Sequence, residues 1–66
     1  MFMSKIRAGG YVFVTWVADH PPPHVHVYRD NRLVVKWDLE SNTPLKGRPN
    51  RRILKLIERL RQEGRL

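Results

Sequence analysis

The chain has 66 residues, 13 Lys and Arg against six Asp and Glu, a formal net charge of +7, and no cysteine. This length supports one small domain over residues 1–66 without a large enclosed active site. The absence of thiols excludes disulfides, thiolate zinc sites and cysteine nucleophiles, so any metal chemistry falls to histidine. The longest apolar stretch, Tyr11 to Ala18, is too short to span a bilayer, and the first ten residues lack the hydrophobic core of a signal peptide. A soluble, cytoplasmic protein with no membrane association is expected.

Residues 1–9 are expected to be a flexible lead to the sheet, which is placed over residues 11–39. Tyr11-Val12-Phe13-Val14-Thr15-Trp16-Val17 is β-branched and aromatic throughout, lies between Gly9-Gly10 and a proline run, and reads as the first strand. The run His20-Pro21-Pro22-Pro23-His24-Val25-His26 then enters a second strand, His24 to Arg29. There His24 and His26, at i and i+2, project from one face. A third strand, Leu33 to Leu39, alternates Leu33, Val35, Trp37 and Leu39 with Val34, Lys36 and Asp38.

Loop length decides where the histidines point. A two-residue Asp30-Asn31 loop pairs His26 with Val35 and His24 with Trp37, which buries both histidines. A three-residue loop instead sends Val25 and Val27 into the core with Leu33, Val35 and Trp37. His24 and His26 then share the outer face with Val34, Lys36 and Asp38. The second register is preferred because it buries every valine of the strand and uses Asn31 in a left-handed conformation.

Ser41 to Pro49 reads as a loop or irregular crossing. A helix is expected over residues 50–63, with Asn50 as N-cap, the apolar residues Ile53, Leu54, Leu56, Ile57 and Leu60 at helical spacing, and Gly64 as a stop. Arg51, Arg52, Lys55, Glu58, Arg59 and Gln62 fall on the opposite side. The fold class expected is α+β, a small three-stranded, mainly antiparallel sheet packed against one C-terminal helix.

Charge is concentrated at the C-terminal end: residues 43–66 hold eight basic and two acidic residues. Arg48, Arg51 and Arg52 crowd the helix N-terminus, where the macrodipole is already positive and an acidic residue would be stabilising. Free backbone N–H groups beside arginines suit a phosphate or carboxylate, and Lys55 and Arg59 continue the positive stripe. The alternative is a solvated, salt-screened helix face.

The stretch from Tyr11 through Pro22-Pro23-His24-Val25-His26-Val27, Arg29-Asp30-Asn31 and Lys36-Trp37-Asp38-Leu39 resembles the small bacterial domain-of-unknown-function 4160 family, whose signature is Pro-Pro-His-x-His-Val after an aromatic strand. The likeness covers residues 7 to 63. It implies a three-stranded sheet with one helix, and a toxin–antitoxin-like or regulatory role of the kind suggested for members encoded beside another small family. His24 and His26 map onto the motif; His20 lies outside it.

Three readings of the histidines remain open. His24 and His26 can bind a metal with Asp38 as third ligand, although His20 is a poor candidate if an extended proline run carries it away. They can act as base and acid in metal-independent RNA cleavage, with Lys36 or a helix arginine stabilising the transition state. Or they serve architecture and recognition. The leading expectation is a binding module, not an enzyme, that needs no cofactor and takes nucleic acid or an acidic protein partner. Its anion-binding residues would be Arg48, Arg51, Arg52, Lys55 and Arg59, with Lys36 and Tyr28 on the histidine face. Tyr11, Phe13, Trp16 and Trp37 are further aromatic candidates for base stacking, with Trp37 expected in the core. A homodimer is also expected, through the edge of the Tyr11–Val17 strand or an apolar patch of Phe2, Met3 and Ile6.

Overall fold

Gly9 and Gly10 sit at φ 57° and 85°, the two left-handed conformations that a two-residue hairpin turn needs and that glycine adopts without a steric penalty. The turn folds residues 2–8 back onto Tyr11–Val17, so the lead expected to be flexible is a strand. The computed structural model describes residues 2–17 and 24–66, with side chains for 5–15 and 24–66. His20, Pro21, Pro22 and Pro23 lie outside the described residues, as do the side chains of Phe2, Met3 and Trp16.

The elements are β1 (Phe2–Ala8), β2 (Tyr11–Val17), β3 (His24–Arg29), β4 (Arg32–Asp38), β5 (Thr43–Gly47) and helix α1 (Arg51–Gln62). The strands form one antiparallel sheet in the order β1-β2-β3-β4-β5. The three-stranded sheet expected from sequence is therefore corrected to five strands within an α+β fold. Both additions are edge strands. β5 contains Pro44, which lacks a backbone donor and is tolerated where one side of the strand pairs with nothing. Because β1 covers β2, the strand expected to offer a free edge for dimerisation is interior. Ile6, expected in an apolar association patch, is buried in the core of its own chain.

The β3–β4 hairpin reaches the preferred register by an unexpected route. Its loop is the two-residue Asp30-Asn31, at φ 53° and 64°, and not the three-residue loop proposed for it. Such a loop alone would bury the histidines. The parity is restored by a bulge: Tyr28 opposes Leu33 and Val27 opposes Val35, leaving Val34 as the extra residue. His24 then pairs with Asp38, Val25 with Trp37 and His26 with Lys36. The bulge exchanges two expected positions. Leu33, expected in the core, is 40% exposed, whereas Val34, expected on the outer face, packs against the core.

A second bulge, at Leu45, lets Lys46 oppose Lys36 and Gly47 oppose Val35. A side chain at Gly47 would collide with the Val34 carbonyl oxygen, so glycine there allows the end of β5 to approach the β4 bulge.

One face of the sheet packs on α1. Phe13, Val25, Val27 and Val35 are fully buried from the sheet, with Ile6, Tyr11 and Trp37 around them, and Ile53, Ile57 and Leu60 are buried from the helix. The helix begins as expected: Asn50 is extended and its side-chain oxygen accepts from the Ile53 N–H at 2.8 Å. It ends in paired bonds from the Gly64 N–H to the Arg61 carbonyl and from the Arg65 N–H to the Leu60 carbonyl. Asn50 also donates from Nδ2 to the Tyr11 hydroxyl at 3.0 Å, tying the helix cap to β2. No helix among the described residues is long and apolar enough to cross a membrane.

Candidate nucleic-acid interface

Alternation along the strands sends the side chains between the core residues to the face of the sheet opposite α1. Cross-strand pairing assembles them into rows. Lys5, Val14, His26, Lys36 and Lys46 align across all five strands, and Arg7, Val12, Tyr28 and Leu33 align across the neighbouring row. His24 begins a third row, opposite Asp38, which in turn opposes Thr43. Along β3 the rings of His24 and His26 lie edge to face with centroids 5.0 Å apart, and those of His26 and Tyr28 are tilted with centroids 6.3 Å apart. All three are half-buried, while Lys5, Arg7 and Lys46 are exposed.

Asp38 is the only carboxylate in these rows, and it is turned to another task. It is 7% exposed. One of its oxygens accepts from the Glu40 and Ser41 N–H groups at 2.9 and 3.3 Å, and the other accepts from the Ser41 hydroxyl at 2.8 Å. Its carbonyl accepts from the Asn42 N–H at 2.9 Å. Burial raises its pKa, but the bonds from Ser41 and Glu40, with the nearby His24, outweigh it and hold the carboxyl below its ordinary value. The carboxylate thus builds the β4–β5 turn. Among the described residues no group of three or more His, Cys, Asp or Glu side chains suits a metal ion.

The basic stripe lies on the other side of the molecule. Arg51, Arg52, Lys55 and Arg59 are exposed on α1, and Arg48 is exposed in the segment before it. No acidic residue occupies the first helical turn, but the Asn50 cap already takes the Ile53 N–H. An open cleft beside the β1–β2 turn is lined by Gly9, Leu56, Arg52, Arg59, Glu63 and Arg65. Within it Glu63 pairs with Arg59 at 3.7 Å and Arg65 at 3.8 Å, which offsets part of the positive charge. Arg61 donates to the Asn42 side-chain oxygen at 2.7 Å and so fastens the helix to the β4–β5 turn.

The anion-binding residues expected from sequence therefore fall into two groups separated by the sheet. Lys36 and Tyr28 stand with His24 and His26; Arg48, Arg51, Arg52, Lys55 and Arg59 belong to the helix side. Tyr11 and Phe13 are buried, and Tyr11 has the Arg29 guanidinium 5.6 Å from its ring centroid, so neither ring is available for stacking. Trp37 is in the core as expected. Lys5, Arg7 and Lys46 were missed because β1 and β5 were not expected. The alternation Lys5-Ile6-Arg7-Ala8 before Gly9-Gly10 was the available signal for the first two; Lys46 had none, since its facing depends on the Leu45 bulge.

No curated protein and no solved structure matches the chain. A family model described as a domain of unknown function, DUF4160, matches residues 10–65. That span holds the histidine strand, the bulged hairpin, β5 and the helix, and on it the chain belongs to the DUF4160 family.

Proposed function

We propose that the domain is a binding module for nucleic acid. The observation that carries this reading is the lack of internal neutralisation. Of thirteen basic residues, only Arg59 and Arg65 have an ion-pair partner among the described residues, and both share Glu63. A polyanion releases its own counterions when it meets such a surface, which gives binding without requiring an enclosed pocket. The stripe Arg48, Arg51, Arg52, Lys55 and Arg59 supplies phosphate contacts on the helix side, and Lys36, with the Tyr28 ring in the neighbouring row, extends the contact surface to the sheet.

A salt titration of the affinity for RNA and for duplex DNA tests the reading. The logarithm of the binding constant should fall linearly with the logarithm of salt concentration, losing roughly 0.7 to 0.9 in slope per phosphate contact. Absence of binding to either polymer at low salt would remove nucleic acid from consideration and leave an acidic protein as the partner class. A second reading, metal-independent RNA cleavage by His24 and His26, is favoured by the 5.0 Å separation of their rings and by Lys36 opposite His26. It requires turnover with a bell-shaped pH profile that is lost in His26→Gln; binding without turnover rejects it.

A further inference from the structure

We infer that the helix-free face of the sheet is a platform for single-stranded nucleic acid, with Tyr28 stacking on a base and Lys5, Lys36 and Lys46 tracking the phosphates. This rests on the nucleic-acid reading above and specifies the form of polymer. Three observations carry it. First, Lys36 and Lys46 are directly opposed across β4 and β5. Like charges in that position repel one another, and neither has an ion-pair partner among the described residues. An anion lying over both relieves the repulsion. Second, the row from Lys5 to Lys46 crosses all five strands, a track of roughly 19 Å at the usual strand spacing. Third, the adjacent row places Tyr28 between Val12 and the exposed Leu33, with Arg7 at its end. A ring and an apolar patch beside a cationic track suit an unstacked base attached to its phosphate. Tyr28 is the aromatic ring of that row, so the stacking role falls to it.

Charge complementarity alone would accept a duplex. The ring does not, because a duplex keeps its base faces inside the stack, and the ratio of single-strand to duplex affinity is therefore the diagnostic quantity. Anisotropy is measured on the full chain with a labelled oligouridylate and with a DNA duplex of the same length. Melting temperature is followed for every variant.

Tyr28→Ala should weaken oligouridylate binding roughly five- to a hundredfold and leave duplex binding within about twofold. Tyr28→Phe, which keeps the ring face, should bind like the wild type. The double variant Lys36→Gln/Lys46→Gln should flatten the single-strand salt slope by about 1.4, the loss expected for two phosphate contacts. The triple variant Arg51→Gln/Arg52→Gln/Lys55→Gln, on the opposite side of the molecule, should weaken oligouridylate binding less than the double lysine variant does. Wild-type oligouridylate binding in Tyr28→Ala, or an unchanged salt slope in the double lysine variant, overturns the platform while leaving the broader reading standing. If the wild type binds neither polymer at low salt, the broader reading itself is overturned and the platform with it.

Discussion

Asp38 illustrates how one side chain can be drawn away from the chemistry that its neighbours suggest. In sequence it belongs with His24 and His26 as a ligand or orienting carboxylate, and the register does place it opposite His24. Its two oxygens are nevertheless engaged by Glu40 and Ser41, because the tight turn into β5 needs acceptors for those groups. That use was not legible from alternation, which reports the face a residue is on and not what it bonds. Since the folded carboxyl lies below its ordinary value of 3.8, its stabilising contribution is complete above that pH and is lost as pH falls through the folded value. Thermal melts of wild type and Asp38→Asn at neutral and acidic pH should show the variant less stable at neutrality. The gap between the two should narrow on acidification below the ordinary value, and a constant gap would contradict this account.

Among the elements, the helix was the most legible and the sheet the least, for a physical reason. Ile53, Ile57 and Leu60 repeat on one face and Asn50 caps it, so every local signal agrees. In the β3–β4 hairpin the hydrophobic pattern required the valines inside, while the Asp30-Asn31 turn required the opposite parity. Val34 settles the conflict by bulging out of the ladder. The valine alternation fixes the facing of the histidines, but the device that delivers it is hidden, since a bulge has no residue signature comparable to that of a turn. β5 is not legible in the sequence because Pro44 and Gly47 both read as loop residues; the edge position and the close approach to Val34 explain them together. Gly47→Ala should consequently destabilise the domain by about 2 kcal/mol or more, since it adds both a left-handed strain and a backbone collision. Urea denaturation measures the loss, and a change below about 0.5 kcal/mol, as for an ordinary surface position, would mean that β5 does not hold this approach.

At the scale of the molecule, one sheet separates two basic surfaces, and the Tyr11–Asn50 hydrogen bond links the sheet to the helix across 39 positions of sequence. All the strand pairings, by contrast, join neighbours in the chain. This difference fixes the order of events during folding. Hairpins between consecutive strands close short loops and form early, while the docking of a 12-residue helix must close a long one. A helix of that length is marginal by itself, and arginines at its positive end weaken it further. Its cap is therefore expected to mature after the barrier has been crossed. Asn50→Ala should lower stability by about 1 kcal/mol and express that loss almost wholly as faster unfolding, with the refolding rate nearly unchanged. Stopped-flow chevrons separate the two limbs, and a loss carried by the refolding limb would place helix docking in the nucleus. If the loss falls on the unfolding limb, the Tyr11–Asn50 contact acts as a latch on an assembled sheet: it governs how long the native state lasts and has little influence on how quickly that state is reached.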